Sequence, residues 1–456
     1  MSKYEQFIED NLKAFDTTLI DFLKIPSISA QPEHSSDMRT ACEFLKSYLS
    51  KLGLEPRIYE TEGHPILYAE YLKASDKPTA LIYGHYDVQP VDPLDLWDSP
   101  PFEPVIKDGN IFARGSADDK GQLMVHVHAI EAYLKNGGEI PINLKLIFEG
   151  EEEIASEHLD GFLESNKDML KCDLAIISDT AQFGRDMPAL TYGLRGIAAC
   201  EVKVTGPNRD LHSGSYGGAV ANPVNILCSM VSRLHDEKRQ IQLDGFYDDV
   251  APIEDWEKEE FARLPFDEDG YKKNLGVGAL LGEEGFSTLE RKWARPTLDV
   301  NGIYGGYMEK GQKTIIPSWA GCKITMRLVP NMDPIKACDQ LEAYLKKIAP
   351  PSVTVEVEKF GGAKAAIVSK DNPIMGAAEH ALEYGFGKRP FYIREGGSIP
   401  IVNVFKELLG VDTILFGLCQ PDCNAHSPNE FFGLDDFHRG IKSVVVLYEE
   451  LSKMKV

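Results

Sequence analysis

The sequence predicts an α/β protein in which a smaller domain interrupts a larger one. Short apolar runs rich in β-branched residues alternate with helical patterns from the N-terminus to about Leu194. Beyond Leu194 the strands alternate polar and apolar residues, and the first pattern returns after about Asn372. Continuous apolar strands that alternate with helices are typical of a sheet covered on both faces. We therefore expect one large α/β domain, split by an inserted domain.

The first segment, residues 1–193, begins with an amphipathic helix. Apolar residues recur at helical spacing from Phe7 to Leu23, without the basic, apolar and small-residue order of a signal peptide. Bounded apolar runs then predict the strands of the main sheet. These strands are expected at 79–83, 111–113, 142–148 and 174–177, with a helix at 121–136.

The second segment, residues 194–371, is predicted to be a smaller α/β domain. Its strands have a period of two, which indicates that one face of the sheet is solvated. The expected strands are 197–205, 323–329 and 353–359, and the expected helices are 219–236 and 334–348. Residues 243–295 are acidic and aromatic-rich and show no clear period.

The third segment, residues 372–456, is predicted to complete the first domain. Helical patterns and one apolar run resemble those of the first segment. The expected helices are 373–384, 400–409 and 435–454, and the expected strand is 413–416.

The chain carries a large excess of acidic residues. It has 456 residues, with 48 Lys and Arg against 71 Asp and Glu, so the formal net charge is −23. This charge repels phosphate backbones and anionic lipid surfaces. Nor does any stretch reach the roughly 18 consecutive apolar residues of a membrane-spanning helix. We therefore expect neither nucleic acid nor a membrane as a partner.

The cysteines indicate the compartment. All eight are dispersed, and no two form a Cys-x-x-Cys pair. A disulfide framework or a zinc ribbon is therefore not expected. We expect reduced thiols and a cytoplasmic location instead. Cys419 and Cys423 lie near one of the polar clusters described next, and we expect them to be packing residues.

Polar clusters follow several of the predicted strands directly. They span residues 84–90, 114–121, 149–153 and 178–179, and a fifth lies at 424–430. Ligands of open α/β sheets bind beyond the carboxyl ends of the strands, so these clusters are expected to converge on one site. Histidine and carboxylate without cysteine suit zinc, with cobalt or manganese possible.

Each cluster also has a purely structural interpretation. A histidine after a strand can be an ordinary core or surface residue, and the acids at 151–153 can form a solvated helix start. Asp118 and Asp119 can cap the helix that follows them. Because all the clusters follow strands of one predicted sheet, they jointly favour a metal site.

Motifs along nearly the whole chain resemble those of the dinuclear zinc metallopeptidase family that includes aminoacylase, glutamate carboxypeptidase and acetylornithine deacetylase. Within that family the sequence is most similar to the cytosolic non-specific, carnosinase-like dipeptidases. The matching segments are GHYDVQP (84–90), WDSPPF (97–102), ARGSADDKGQ (113–122), FEGEEE (148–153), DLHSGSYGG (210–218), KTIIP (313–317), MRLVPN (326–331), REGGSIP (394–400) and NAHSPNE (424–430). The resemblance implies a catalytic domain with a central mixed sheet between helices, interrupted by a smaller α/β lid and dimerisation domain, and hence a homodimer.

The resemblance also implies two zinc ions in each subunit. His85 and Asp179 match the ligands of one ion, and Glu153 and His426 match those of the other. Asp118 matches the carboxylate that bridges both ions. The peptide bond that follows this aspartate is cis in relatives, and the same is expected here.

Two further acids have implied roles in catalysis. Glu152 matches the general base, which takes a proton from a water between the metals. Asp87 matches a carboxylate that hydrogen-bonds the imidazole of His85 and so fixes its tautomer. Since Glu151 makes three consecutive acids with Glu152 and Glu153, an adjacent acid is the alternative candidate for the base.

Residues of the inserted segment match substrate contacts of the family. His212 is implied to reach the active site of the partner subunit and to stabilise the tetrahedral oxyanion; alternatively, it caps the next helix. Arg327 matches a residue that binds the C-terminal carboxylate of the substrate, which a guanidinium can hold through two hydrogen bonds. Further implied substrate contacts are Thr314, Glu395, Gly397 and Ser398.

One departure from the family concerns residues 361–366. The related dipeptidases carry a histidine there, whereas this chain reads GGAKAA. The substrates of that branch are therefore not carried over to this chain.

Three functions remain in competition. The leading hypothesis is a dinuclear zinc hydrolase that cleaves the amide bond of a dipeptide or short peptide with a free carboxylate. An alternative keeps the metals but cleaves N-acyl amino acids, as acetylornithine or succinyl-diaminopimelate deacylases do. The third is a catalytically inactive metal-binding protein, and the presence of Glu152 beside every expected ligand argues against it.

Overall fold

The computed structural model describes residues 3–455 and has the expected mixed α/β architecture. The β-strands are β1 Arg57–Tyr59, β2 Ile66–Tyr71, β3 Thr79–His85, β4 Val105–Lys107, β5 Asn110–Phe112, β6 Asn143–Glu149, β7 Leu174–Ile177, β8 Ala189–Leu194, β9 Gly196–Thr205, β10 Leu211–His212, β11 Thr297–Gly305, β12 Ile315–Ile316, β13 Trp319–Leu328, β14 Thr354–Ala363, β15 Ala366–Ile367, β16 Phe391–Glu395, β17 Thr413–Leu415 and β18 Phe431–Gly433.

The α-helices flank these strands in the sequence. They are α1 Lys3–Leu23, α2 Ser35–Lys51, α3 Lys120–Lys135, α4 Leu159–Ser165, α5 Lys167–Leu170, α6 Ser213–Tyr216, α7 Pro223–Ser232, α8 Asp255–Arg263, α9 Glu268–Leu275, α10 Thr288–Trp293, α11 Pro334–Ile348, α12 Pro373–Phe386, α13 Pro400–Val404 and α14 Leu434–Leu451. A π-helix, Phe405–Leu409, continues α13. Within residues 3–455, no helix is both long and apolar enough to cross a membrane.

The chain forms two compact units. The first unit contains the residues up to Tyr192, then Val368–Ile393, and the residues from Val404 onward. The second contains Gly193–Ile367 and Arg394–Asn403. The sequence pattern predicts residues 394–403 in the third segment, with the larger domain. They belong to the second unit in the structure, and their contacts there are described below.

The sheet of the first unit is mixed. Its strands are hydrogen-bonded in the order β1-β2-β6-β3-β7-β17-β8. Strands β6, β3, β7 and β17 are parallel to one another, whereas β2 pairs antiparallel with β1 and β6, and β8 pairs antiparallel with β17. Every residue of β7 is buried, as are six of the seven residues in each of β3 and β6. Burial of consecutive residues means that both faces of the sheet are covered, as the continuous apolar runs predict.

Parallel pairing brings the ends of three strands to the same edge of the sheet. In the register of the sheet, His85 at the end of β3 pairs with Glu149 at the end of β6. Tyr83 pairs with Ile177, the last residue of β7. The residues that follow these strands therefore emerge side by side, which is where ligands bind in such sheets.

A three-stranded antiparallel sheet brings a late segment to the same edge. Its order is β18-β5-β4, and Phe431 of β18 pairs with Phe112 of β5. Just outside this pairing, Ala113 N donates to Glu430 O at 3.1 Å. The loop before β18 is thereby fixed next to the loop that follows β5.

The second unit is built on a four-stranded antiparallel sheet in the order β11-β13-β9-β14. Burial alternates along β9 and, from Cys322 onward, along β13, as the period of two predicts. Helices α7 and α11 pack on the sheet, and their apolar residues join the buried strand residues in one core. A separate two-stranded sheet pairs β10 with β12.

Some elements differ from the sequence prediction. Helix α7 begins at Pro223, and its N-cap Asn222 accepts a hydrogen bond from Val224 N, so the expected start at residue 219 is wrong. The segment without a clear period, 243–295, contains three short helices, α8 to α10. Two of them begin with capping boxes, at Glu254 and at Ser287, which supply a local helix signal without a long apolar stripe.

Candidate metal centre

Three ligand-type side chains meet beyond β3 and β7. His85 ends β3, Asp118 precedes α3, and Asp179 follows β7. His85 Nε2 lies 3.1 Å from Asp118 Oδ1 and 3.8 Å from Asp179 Oδ2. One nitrogen and two carboxylate oxygens thus lie within 4.8 Å of one another.

A second group shares Asp118 with the first. Its other members are Glu153, on the turn after β6, and His426, on the loop before β18. His426 Nε2 lies 2.9 Å from Asp118 Oδ2 and 3.3 Å from Glu153 Oε2. The two oxygens of Asp118 therefore face different histidines, Oδ1 towards His85 and Oδ2 towards His426.

The donor atoms of both groups suit divalent transition metals. Each group offers one imidazole nitrogen and carboxylate oxygens from two residues, a set that binds zinc, cobalt or manganese. His85 Nε2 is buried and makes no hydrogen bond of acceptable geometry within residues 3–455, so its lone pair is available to a ligand. The residues present therefore fit two metal ions that share one aspartate.

Asp87 connects the two groups. His85 Nδ1 lies 3.2 Å from the Asp87 carbonyl oxygen and 3.3 Å from Asp87 Oδ1, which favours a proton on Nδ1 and leaves Nε2 free. On the other side, the backbone N–H of Glu153 donates to Asp87 Oδ2 at 3.0 Å. One fully buried carboxylate thus orients a member of each group.

The three consecutive acids have different surroundings. Glu151 accepts hydrogen bonds from His64 N at 2.9 Å and lies 2.9 Å from His158 Nδ1, so its carboxylate is engaged away from the ligands. Glu153 belongs to the His426 group. The middle acid, Glu152, begins a 3-10 helix and is half-buried, and its carboxylate interacts electrostatically with His85, Glu153 and Asp118.

The electrostatics of the cluster favour a cation. Burial raises the pKa of Glu152 to about 7, and the charges of Glu153 and Asp118 add to this effect while His85 opposes it. Burial likewise raises the pKa of Asp179 well above its usual range, with the charge of Asp118 contributing. Several carboxylates crowded in a buried space repel one another, and bound cations relieve that repulsion.

The two histidines hold the shared aspartate ionised. Burial alone would raise the pKa of Asp118, but the neighbouring imidazoles of His426 and His85 outweigh burial and hold the pKa below its usual range. His85 responds in the opposite direction. Burial disfavours its charged form, yet the neighbouring Asp118 and Asp87 carboxylates raise its pKa well above its usual value.

Glu430, to which the sequence motifs give no role, holds the loop that carries Asp118. Its fully buried carboxylate accepts hydrogen bonds from the backbone N–H groups of Gly115, Ala117 and Asp118 at 2.9–3.1 Å. Arg114 Nη1 also donates to it, at 2.8 Å. The only signal in the sequence was the position of Glu430 at the end of the NAHSPNE segment.

Other supporting residues were also missed. Gln89 Nε2 donates to Glu153 Oε2 at 2.7 Å. Asp119 accepts a hydrogen bond from the backbone N–H of His85 at 3.2 Å. Asp119 is the N-cap residue of α3, but its side chain makes no capping hydrogen bond, so the capping alternative is wrong. The peptide bond between Asp118 and Asp119 is cis, as the resemblance implies.

Two of the implied substrate residues lie together in the second unit. His212 in β10 pairs with Ile315 in β12, and Ser213 N donates to Thr314 O at 3.0 Å. His212 Nδ1 accepts a hydrogen bond from Gly214 N at 3.0 Å, so this residue does cap the short helix α6. Its side chain is exposed, and capping leaves its other ring nitrogen available.

The remaining implied substrate residues form a second cluster of this unit. Arg327 Nη1 donates to Ser398 Oγ at 3.1 Å, and Ser398 in turn donates to the carbonyl oxygen of Arg195. Arg195, which no motif of the sequence indicates, precedes β9, and its Nε donates to Gly396 O at 3.2 Å. Glu395 and Gly397 lie in the same segment, and burial raises the pKa of Glu395 to about 7.

The fold and the site define a class of protein. The ends of the strands in this mixed α/β sheet present imidazole and carboxylate groups around a shared aspartate. This arrangement is typical of metal-dependent hydrolases. Peptidase family M20/M25/M40 matches residues 81–450, and the chain belongs to this family. The resemblance drawn from the motifs is thereby confirmed, and the protein is a metallopeptidase.

Named relatives span the whole chain. The Cys-Gly metallodipeptidase dug1 of Schizosaccharomyces pombe is 33% identical over 100% of this chain and 99% of its own length. The human Beta-Ala-His dipeptidase is 29% identical over 100% of this chain and 93% of its own length. The structure of the metallo-carboxypeptidase Sso-CP2 of Sulfolobus solfataricus matches with a TM-score of 0.86 and 35% identity, covering 96% of this chain and 99% of that one.

Proposed function

We propose that the protein is a dinuclear metal-dependent dipeptidase. The observation that carries this proposal is the shared Asp118, whose two oxygens face the two histidines at 3.1 and 2.9 Å. One ion would be held by His85 and Asp179 and the other by Glu153 and His426, with Asp118 between them. Zinc is the proposed metal, with manganese or cobalt as possible replacements.

The residues around the ligands have distinct tasks in peptide hydrolysis. Bound divalent ions would supply Lewis-acid chemistry, lowering the pKa of a water and polarising the scissile carbonyl. Glu152 accepts the proton of the attacking water and returns it to the leaving amine as the C–N bond breaks. Asp87 keeps the proton of His85 on Nδ1, so that Nε2 points at the site.

The substrate is a dipeptide or short peptide with a free C-terminal carboxylate. Arg327, held by Ser398, binds that carboxylate through its guanidinium. Thr314, Glu395 and the Gly397 backbone complete the substrate contacts. Two relatives aligned along the full chain are named as dipeptidases, which supports this substrate class over N-acyl amino acids.

We also propose that the active protein is a cytoplasmic homodimer. His212 is exposed on the second unit, and in the dimer it would stabilise the oxyanion formed in the active site of the partner subunit. The cysteines support a reducing compartment, because all eight are free.

Hydrolysis of a substrate panel by the zinc-loaded protein tests this proposal. The panel pairs dipeptides with N-acetyl and N-succinyl amino acids of the same C-terminal residue. The proposal predicts release of free amino acids from the dipeptides, abolished by a chelator and restored by zinc. Cleavage of only the N-acyl compounds would instead identify a deacylase, and no cleavage of either class would contradict a catalytic function.

A further inference from the structure

The second unit contains a cavity of about 460 Å³ with a strongly cationic wall. This volume lies within the range of sites that take small ligands. Six of its lining residues are arginine or lysine, whereas two are acidic, Glu283 and Asp299. In a chain of net charge −23, this local concentration of positive charge favours the binding of a negatively charged ligand.

Two of the arginines lie side by side at the substrate cluster. Arg195 and Arg327 both line the cavity, and Ser398 contacts both of them, through the guanidinium of Arg327 and the carbonyl of Arg195. Neither guanidinium has a carboxylate within 4 Å among residues 3–455. Burial, together with the charge of Arg327, lowers the pKa of Arg195 to about 10. Paired guanidiniums that form no ion pair are suited to bind carboxylate groups.

The other cations of the cavity differ in their partners. Arg295 is neutralised by Glu283, with two hydrogen bonds of 2.7 Å. Arg239 and Lys292 are exposed and form no ion pair within the described part of the chain. Besides Arg327, four cations of the cavity therefore form no ion pair among residues 3–455: Arg195, Arg239, Arg291 and Lys292. A single substrate carboxylate on Arg327 would leave them without an anion.

We propose that this cavity binds a second carboxylate of the substrate, so that the enzyme prefers dipeptides whose C-terminal residue is acidic. The inference rests on the proposed function, in which Arg327 holds the C-terminal carboxylate. The side chain of that residue branches from the carbon that bears this carboxylate, so a side-chain acid falls next to the same guanidinium. Arg195 and Lys292 then supply the charge that recognises it.

The neutral amide is the decisive comparison. Glutamine has nearly the shape of glutamate but no charge. It therefore fills the cavity equally well but leaves the cations of the cavity unpaired. A site built for a charged group rejects the analogue that lacks that group more strongly than a site that reads only shape. We expect kcat/KM of the zinc-loaded protein for Ala-Glu to exceed that for Ala-Gln at least tenfold, with the difference mainly in KM.

Substitutions locate the source of the preference. In Arg195→Met and in Lys292→Met the ratio of kcat/KM for Ala-Glu to kcat/KM for Ala-Gln should fall towards one. Arg195→Lys should keep part of the preference for Ala-Glu. Lys292 is exposed, so its substitution tests the charge even if Arg195→Met fails to fold. Lys273→Met, at an exposed position of α9, removes the same charge away from the cavity and should leave the ratio unchanged.

The outcomes separate this inference from the function on which it rests. Equal kcat/KM for Ala-Glu and Ala-Gln, with Ala-Ala hydrolysed, would overturn the cavity assignment alone. A preference for Ala-Glu that persists in both Arg195→Met and Lys292→Met would overturn it as well. If none of these dipeptides is hydrolysed, the proposed function fails, and this inference fails with it.

Discussion

Single residues at the metal centre are distinguished by their surroundings more than by their type. Glu152 and Glu153 are neighbours in sequence, yet Glu153 is tied to Gln89 and His426. Among residues 3–455, Glu152 makes no such side-chain hydrogen bond; it is half-buried, and desolvation raises its pKa to about 7. A carboxylate of this pKa can both accept and release a proton near neutral pH, which is what a general base requires.

Replacing Glu152 with glutamine should abolish most of the activity without loss of metal. The amide keeps the size of the side chain but cannot accept a proton, so kcat should fall by about 10²–10⁴. Steady-state hydrolysis of a dipeptide and metal analysis of the same preparation measure the two quantities. Glu157→Gln, at an exposed position of the same loop, is the matched control and should retain activity. Unchanged turnover in Glu152→Gln would exclude it as the base.

Glu430 should matter for metal affinity although it is no ligand. Its carboxylate fixes three backbone amides of the loop that carries Asp118, and glutamine can satisfy fewer of those donors. By analogy with the residues that support metal ligands elsewhere, we expect Glu430→Gln to weaken metal binding by about 10–100-fold. Titration against a competing chelator measures the affinity.

A change of fold must be separated from this effect. Glu430→Gln also leaves the buried charge of Arg114 unpaired, which lowers stability. Circular dichroism of the metal-free variant checks that it remains folded at the temperature of the titration. Glu103→Gln, at an exposed position, serves as the control. A folded Glu430→Gln protein with unchanged metal affinity would contradict the positioning role.

At the scale of elements, the strands that carry the site are those that the sequence predicts best. The buried parallel strands β3, β6 and β7 read as continuous apolar runs, and β7 was predicted at its observed bounds. Several other strands are not predicted by the sequence pattern, β8 and β16 among them. Strand β8 contains Thr191 and Gly193 within its six residues, and β16 ends in Arg394 and Glu395, so neither has a clear apolar or alternating pattern.

The ligand types could be predicted from the sequence, but their supports could not. The histidines and acids follow strands, and that local pattern is visible in the sequence. The bond from Glu153 N to Asp87 spans 66 residues, and that from Asp118 N to Glu430 spans 312. Contacts between residues so far apart in the sequence form only once the sheets have formed, so no local sequence pattern predicts them.

Helix α3 contributes a buried histidine that should make stability depend on pH. His126 contacts Ser178 Oγ at 2.7 Å, next to the ligand Asp179 in the chain, and burial lowers its pKa to about 3. Below its unfolded pKa of about 6.5 the unfolded chain binds a proton that the folded chain does not. His126 therefore lowers the free energy of unfolding as the pH falls from about 6.5 towards 3.

Unfolding in urea at two pH values measures this effect. Between pH 7.5 and 5.5 the contribution of His126 to the free energy of unfolding should fall by about 1.4 kcal/mol. Over the same pH range, the free energy of unfolding of His126→Gln should decrease by about 1.4 kcal/mol less than that of the unsubstituted protein. His380→Gln, at an exposed position of α12, controls for removing an imidazole from a helix. Equal losses in the unsubstituted protein and in His126→Gln would contradict the assignment.

At the scale of the whole molecule, the chain returns to its second unit after leaving it. Residues 394–403 belong with Gly193–Ile367 because Arg394 pairs with the buried Glu257, and Ser398 contacts Arg327. The sequence places these partners 137 and 71 residues apart, which is why the prediction kept the segment with the larger domain. The segment supplies the implied substrate contacts from Glu395 to Ser398.

Mixing two inactive variants tests whether subunits share an active site. If His212 acts across subunits, His212→Ala and Glu152→Ala each disable both sites of their own homodimer. A heterodimer of the two retains one site with both residues intact. Refolding an equimolar mixture of both variants should therefore recover part of the activity. No recovery, in a mixture shown to contain heterodimers, would place His212 outside the partner's site.

The most direct test of the metal centre is the number of metal ions bound per chain. Elemental analysis of the full chain, purified without a chelator and saturated with zinc, gives this number. Two ions that share Asp118 predict close to two equivalents in the unsubstituted protein and a clear loss in Asp118→Asn. One equivalent or none in the unsubstituted protein would contradict the dinuclear centre.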